Sequence, residues 1–361
     1  MKKIDNTEIK KLENLYKLNK LFELEKEIKN LLKKENKNTT LLNILGVVYL
    51  KRKVFKEAEI IFKKILNQNS KDKNALKNLG ETYRKINKFS FAIKYYELYL
   101  IENPEDNNII NSLASCYLKN KNYKVAISYY KNLVKKNPKD QEYLTNLALA
   151  LIESLNFNEG TKILELQLDA KVFNPRTLSS YVFNQNYNAQ IDLNKINNYI
   201  NQFYQSYKKN NLNIVDYSFK ENPEKINIGF VSPDFRSHPV GYAMINVIKN
   251  LRKYNFNLFA YYSFTFEDSL TSKFKEDFHQ FTNVANLNDE KIINQIRSDS
   301  IHILIDLAGY TSNNRLPVFF HNPAPVQISM LGYLPSVNVK NIKYKIGDPY
   351  IYPKDTEKNF S

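Results

Sequence analysis

The chain has 361 residues, 43% of them hydrophobic, which is enough for two or three domains with cores of their own. Its one cysteine, Cys116, excludes an intrachain disulfide framework and a thiolate metal site. The formal net charge of +16 comes from lysines scattered over the whole length without an arginine-rich block, so it reads as a solvated surface and not as a nucleic-acid footprint.

The first residues, MKKIDNTEIKK, are basic, but no apolar segment follows them, so they do not read as a secretory signal. No apolar run approaches the length of a membrane span. A cytoplasmic chain without membrane or nucleic-acid partners is expected.

The N-terminal half repeats itself with the 34-residue tetratricopeptide period. Gly46, Gly80, Ala114 and Ala148 form one series at that step, and Ala58, Ala92, Ala126 and Gly160 a second. Tyr49, Tyr83, Tyr117 and Leu151 form a third, with Pro104 and Pro138 closing two repeats. Antiparallel helices approach closely only where side chains are small, and a large apolar residue one turn on fills the groove. About four repeats are therefore expected over residues 39–175. Residues 1–38 fit the period loosely and read as a degenerate capping repeat. After Asn174-Pro175 the pattern stops, and residues 176–222 read as a helical linker.

Asn78, Ser112 and Asn146 recur at one position of successive first helices, where Ile44 breaks the series. An amide can donate to and accept from a peptide backbone, so these residues are candidates for gripping an extended peptide in the repeat groove. Ordinary solvated polar residues would show the same pattern.

From Ile226 the periodicity changes. Candidate strands are Ile226–Val231, Leu258–Ser263, Ile301–Leu307, Val326–Leu331 and Tyr344–Ile346, alternating with helical segments near Tyr242–Tyr254, Leu270–His279, Asp289–Arg297 and Asn314–Phe320. This alternation predicts a doubly wound parallel sheet over residues 223–361. The fold class is thus an α-solenoid followed by one Rossmann-like α/β lobe. INIGFVSPDFRSHPVGY reads as a strand, a polar turn and a helix opened by Gly241. Ligands of such sheets bind beyond the carboxyl ends of the strands, where this turn places His238. Neither GxGxxG nor GxxxxGK[ST] occurs, so neither a dinucleotide fingerprint nor a P-loop is present.

INIGFVSPDFRSHPVGY, IRSDSIHILIDLAGYTSNNR and PAPVQISMLGY, following tetratricopeptide repeats in that order, resemble the protein O-GlcNAc transferase family, including its bacterial and SPINDLY-like members. The resemblance implies a metal-independent inverting glycosyltransferase of the GT-B type. Such an enzyme moves N-acetylglucosamine from the sugar nucleotide UDP-GlcNAc to Ser or Thr of protein acceptors, with no other cofactor. It implies two Rossmann-like lobes with the active site between them. Residues 226–361 suffice for one, so an incomplete copy, inactive by itself, is expected. The resemblance makes His238 the candidate general base, a task that suits an imidazole at neutral pH. Pro239 and Gly241 would shape its turn and let backbone approach a ligand.

Asp306 falls at the crevice end of its strand, where a charge is natural. The resemblance places Gly309, Tyr310 and Thr311 after it in the donor-sugar pocket, together with Leu331, Gly332 and Tyr333. The family continues that last segment as Pro-Gly-Thr, where this chain has Leu334-Pro335-Ser336. His302, near Asp299, reads as a satisfied histidine at a strand edge, and His279 and His321 as structural or exposed. Two other readings stay open: a peptide-binding scaffold without chemistry, and a SPINDLY-like fucosyltransferase using GDP-fucose.

Overall fold

The computed structural model describes residues 6–171, 174–188, 190–209 and 223–350. The start of the expected cap, the last thirteen residues of the expected linker and the last residues of the expected lobe lie outside this set. The chain forms two compact units, divided between Ile163 and Leu164.

The first unit is a stack of helix pairs. They are α1 (Asn6–Lys17) with α2 (Leu21–Lys34), α3 (Thr39–Lys51) with α4 (Phe55–Gln68), α5 (Lys73–Lys85) with α6 (Phe89–Glu102), and α7 (Asn107–Lys119) with α8 (Tyr123–Lys136). Next come α9 (Gln141–Glu153) and α10 (Phe157–Asp169), and the division between the units falls inside α10.

The period is written into the helix ends. The side chains of Asn38, Asp72, Asp106 and Asp140 accept from Leu41, Ala75, Ile109 and Tyr143 N–H, each satisfying a donor that the helix leaves open. Between paired helices, Asn19, Lys53, Asn87, Lys121 and Leu155 take φ of 56°, 60°, 59°, 63° and 68° at the same step. The first pair therefore turns as its successors do.

The small residues sit under rings from the second helices. A Cβ on Gly46 would lie 2.4 Å from the Phe62 ring, and one on Gly80 2.6 Å from Tyr96. Buried Ala114 and Tyr130 hold the corresponding places in the next repeat. Tyr49 and Tyr83 donate their hydroxyls to Glu25 (3.4 Å) and Glu59 (2.9 Å) of the preceding repeat. Cys116 is buried and unbonded to another cysteine.

In the second unit α11 (Pro175–Gln185) starts behind Asn174, whose side chain caps it one further 34-residue step after Asp140, and α12 (Leu193–Lys209) follows. The sheet comprises β1 (Ile226–Ser232), β2 (Phe256–Tyr262), β3 (Gln280–Asn283), β4 (Ile303–Asp306), β5 (Val326–Met330) and β6 (Tyr344–Ile346). Its order is β3-β2-β1-β4-β5-β6 and every pairing is parallel. The helices between strands are α13 (Pro239–Leu251), α14 (Ser269–Asp277), α15 (Asp289–Ser298) and the short α16 (Leu316–Phe319).

Strand β3, with the sequence QFTN, is absent from the sequence reading because four residues of mixed polarity leave no apolar run. Helix α13 begins at Pro239, ahead of the expected Gly241, because His238 caps it and proline fits the first turn. A core of Phe230, Phe235, Phe274 and Phe278 packs between β1 and helices α13 and α14.

Helices α11 and α12 also hold the loops of the lobe. Asn314 donates to the Ser179 hydroxyl at 3.0 Å, Asn186 to the Tyr333 hydroxyl at 3.3 Å, and Asn338 to Asn197 at 2.8 Å. Tyr207 donates to Asp289.

Candidate functional site

The strand order reverses between β1 and β4, and a crevice opens at such a switch point beyond the carboxyl ends of the strands. The register pairs Val231 with Asp306 and Asp306 with Ser329, and Ser232 ends β1. The crest is therefore polar. Its polar groups are spent on shaping the loops that leave it. Ser232 Oγ accepts from Asp234 N–H at 3.0 Å, and Ser263 Oγ donates to Asn313 O at 2.8 Å.

His238 stands on the loop after β1, half-buried, as the N-cap of α13. Its Nδ1 accepts from Val240 N–H at 3.3 Å and lies 3.5 Å from Asp234 Oδ2. These two neighbours want opposite things of one nitrogen. The Val240 N–H needs a lone pair there, whereas the Asp234 carboxylate needs a proton. Nε2 makes no hydrogen bond among the described residues and is open to a ligand.

Asp234 is buried, and burial raises its carboxyl above the usual range while His238 and Arg236 pull it back. The Arg236 guanidinium lies 3.2 Å from Asp234 Oδ1 and 4.8 Å from the centre of the Phe264 ring. Asp268 fixes the same loop from outside. One oxygen caps α14 through Leu270 and Thr271 N–H, and the other accepts from Ser237 N–H at 2.7 Å. Burial works against its charge, but the Ser237 and Thr271 donors bring the carboxyl down to about 2.

Gly241 has a simpler explanation than backbone approach to a ligand. A Cβ there would lie 2.1 Å from Arg236 O and 2.7 Å from Asp234 O, so its small size lets α13 close on its own loop. Pro239 is exposed beside His238.

On the β4 side Asp306 is fully buried and accepts from Ala308 N–H (3.1 Å) and Gly309 N–H (2.8 Å). Burial pushes its carboxyl up to about 6, opposed by those N–H groups and by the charge of Lys345. Gly309, at φ +55°, and Gly332 interlock two loops: a Cβ on the first would meet Tyr333 Cβ at 2.2 Å, and one on the second Leu307 O at 1.8 Å.

Tyr310 is buried and donates to Val337 O at 2.8 Å, while buried Tyr333 packs edge-on against it. Thr311 Oγ1 donates to Ala308 O at 2.8 Å. Leu331 is partly exposed at φ 57°. Of the residues expected in a donor pocket, Asp306, Gly309, Tyr310 and Tyr333 thus form the frame. Thr311, Leu331 and Gly332 reach its surface.

The other histidines lie apart from this constellation. His302 Nδ1 accepts from Asn227 N–H at 3.0 Å, and Asp299 accepts from the Tyr261 hydroxyl at 2.7 Å. Both lie toward the amino ends of the strands. The His279 ring rests 5.5 Å from Phe259, and that of His321 5.7 Å from Tyr207, where burial lowers its pKa. Among the described residues no three His, Cys, Asp or Glu side chains group to hold a metal ion, and no helix is long and apolar enough to cross a membrane.

In the array Asn78 is half-buried, and Ser112 Oγ turns back to Asn108 O at 3.0 Å. Asn146 is buried and donates to Asn111 Oδ1 at 2.9 Å, while Asn111 donates to Glu142 at 2.8 Å. Sequence reading missed the series one residue earlier. Asn43, Lys77 and Asn111 each reach the first turn or cap of the next repeat, at Asp72, Asp106 and Glu142. Their 34-residue step was the available signal.

Tetratricopeptide-type helix pairs followed by a parallel sheet with a polar crest define a repeat-bearing α/β protein. Residues 171–361 match the sequence profile of glycosyl transferase family 41, and the chain belongs to that family. Residues 17–145 match the profile of the Psidin N-terminal TPR repeats region.

The chain is similar to the probable UDP-N-acetylglucosamine–peptide N-acetylglucosaminyltransferase SPINDLY of Arabidopsis thaliana, 30% identical over 142 residues. That stretch is 38% of this chain and 16% of SPINDLY. The UDP-N-acetylglucosamine–peptide N-acetylglucosaminyltransferase of Caenorhabditis elegans is 30% identical over 135 residues, 37% of this chain and 12% of its own length. A solved mutant of the Thermobaculum terrenum O-GlcNAc transferase shares the fold with a TM-score of 0.59 at 18% identity. The match covers 89% of this chain and 56% of that one. The chain thus spans less than a fifth of these curated relatives and about half of the solved structure.

Proposed function

We propose that the lobe builds one wall of a protein glycosylation site. It takes UDP-GlcNAc as donor and Ser or Thr hydroxyls of a peptide as acceptor, with the repeat groove holding that peptide through Asn78 and Ser112, and buried Asn146 supporting the groove through Asn111. The observation that carries this reading is His238. It stands on a crest loop next to the switch point, with Nδ1 shared between Asp234 and Val240 and Nε2 open.

With its proton on Nδ1, facing Asp234, the imidazole offers the Nε2 lone pair to an acceptor hydroxyl. The oxygen then attacks the anomeric carbon from the face opposite the leaving UDP, which inverts the configuration. With Nδ1 accepting from Val240, Nε2 instead carries the proton and serves as a hydrogen-bond donor to the sugar nucleotide. Thr311, Leu331 and Gly332 line the donor side, framed by Asp306, Gly309, Tyr310 and Tyr333. The reading calls for no metal.

Calorimetric titration of the full chain with UDP-GlcNAc tests it, with GDP-fucose in parallel. UDP-GlcNAc should bind, and His238→Ala should weaken binding by about tenfold, the worth of one hydrogen bond to a charged ligand. Binding of GDP-fucose alone would transfer the reading to a fucosyl donor. A folded chain that binds neither would sink the donor site and leave the peptide scaffold.

A further inference from the structure

The loop leaving β5 passes twice through backbone that L-residues avoid, at Leu331 (φ 57°) and Asn338 (φ 49°). Between them Gly332 presses onto Leu307 O. Such backbone persists only where its surroundings over-determine it.

One support comes from the edge strand. The Lys345 ammonium donates to three successive carbonyls: Tyr333 O at 3.4 Å, Leu334 O, and Pro335 O at 2.7 Å. An ammonium has three donors and no acceptor, so a turn presenting three converging oxygens matches it. Lys345 is half-buried, while its strand neighbours Tyr344 and Ile346 are exposed.

The register adds a second observation. Asp306 pairs with Ser329, and Ser329 with Lys345, so the three form one row across β4, β5 and β6. At one end of the row a carboxylate grips the N–H groups of the loop after β4. At the other end an ammonium grips the C=O groups of the loop after β5. Each charge holds backbone dipoles of opposite sign, and Gly309 and Gly332 lock the two loops to one another.

We propose that Lys345 is a positioning residue, which clamps the Leu331–Ser336 loop after its left-handed start at Leu331 and so sets the surface that this loop offers to a donor sugar. The donor part of this statement rests on the function proposed above; the clamp does not.

Hydrogen–deuterium exchange on the full chain tests the clamp. Lys345→Met should speed exchange of amides 331–339 by about tenfold or more, while β1 and the array stay as in the wild type. Lys345→Ala should behave alike and regain protection in n-propylammonium chloride but not in sodium chloride. Unchanged loop exchange in the methionine variant overturns the proposal. If that variant loses protection everywhere, the alanine variant decides: recovery of the loop in the amine supports the clamp, and no recovery overturns it. UDP-GlcNAc affinity is measured on the same samples. A loosened loop with undiminished affinity overturns the positioning role. A wild-type chain that binds no UDP-GlcNAc removes the donor reading and leaves exchange to judge the clamp.

Discussion

In the array every contact that matters is made several times, at a fixed step, whereas in the lobe each is made once. Four Asn or Asp caps start four first helices, Gly46 and Gly80 each lie under a ring, and Ala114 shares a core with Tyr130 at the next step. In the lobe a single Gly241 admits α13 to its loop, and a single Gly332 admits β5's loop to Leu307. A stack of near-identical units loses stability repeat by repeat, whereas a closed sheet crest loses its geometry at one point. The heaviest penalty is therefore expected at the crest. Gly332→Ala puts a methyl 1.8 Å from a backbone oxygen that no rotamer can move, and should cost about 3 kcal/mol or more. Denaturant unfolding followed by hydrogen exchange in the strands of the lobe would measure it. A loss below about 1 kcal/mol would show that the loops are not interlocked.

The second effect is one of pH, and it belongs to the lobe alone. The Asp306 carboxyl is raised by burial from 3.8 to about 6. The folded lobe therefore holds this proton more tightly than the unfolded chain. The resulting stability is fully present below about 3.8 and is lost as pH rises through about 6. It amounts to about 2 to 3 kcal/mol at about 1.4 kcal/mol per pH unit. Other carboxylates, such as Asp268, have lowered values and change stability in the opposite sense, so the useful quantity is a difference. Wild-type stability minus that of Asp306→Asn should fall between pH 4 and 6.5, roughly the span between the two values. A flat difference would mean that Asp306 titrates as an ordinary carboxyl.

Below these come the array's own penalties. Gly80→Val drives a side chain into the Tyr96 ring, 2.6 Å from where its Cβ would stand, and should cost about 2 kcal/mol. Exchange should quicken in α5 and α6 and fade over neighbouring repeats, with the sheet unaffected. Smaller again is the loss of one cap. Asp106→Ala and Asp268→Ala should each cost about 1 kcal/mol. Asp106→Ala should disturb one junction between repeats, where Tyr99 and Lys77 also reach that carboxylate. Asp268→Ala should also release Ser237 and loosen the His238 loop, because the same carboxylate holds both. Equal, purely local effects in the two variants would erase the contrast between the regions.

The same contrast explains what the sequence made legible. The 34-residue step exposed the array because each packing demand is restated: a small residue under a ring, a tyrosine reaching the preceding repeat. The sheet was legible as apolar runs, and β1, β2, β4, β5 and β6 lie within two residues of where those runs predict them. Strand β3 was not, since QFTN carries no such run. His238 stood out by residue type, and its resemblance to a family motif gave it a role.

Its supports did not stand out in the same way. Asp234 lies four residues away and acts across the turn. Asp268 was in principle readable as a cap with Thr271 three residues on, but nothing in the sequence says that its second oxygen holds Ser237. Lys345 is a lysine among many, and only the pairing of β6 with β5 turns it onto the carbonyls of another loop. Tyr310 and Tyr333 are expected in the pocket only through the family resemblance of their segments. The fold buries both.

The smallest expected change in stability tests the most about chemistry. Asp234→Asn keeps the shape of the side chain and should change stability less than the losses above, because burial already disfavours the charge that Arg236 and His238 support. What it removes is the negative charge 3.5 Å from His238 Nδ1. That charge favours a proton on Nδ1 and a free lone pair on Nε2, and the Val240 N–H, at 3.3 Å, favours the reverse. With asparagine in place the Val240 bond should win, and the neutral ring should shift toward the Nε2–H form. The shift is readable in the 15N resonances of the imidazole. Asp268→Ala serves as the control, since it loosens the loop without touching the charge. If the nitrogen pattern of Asp234→Asn matches the wild type, Asp234 does not set the proton's place. The helix cap then governs the ring, and His238 meets its ligand as a hydrogen-bond donor and not as a base.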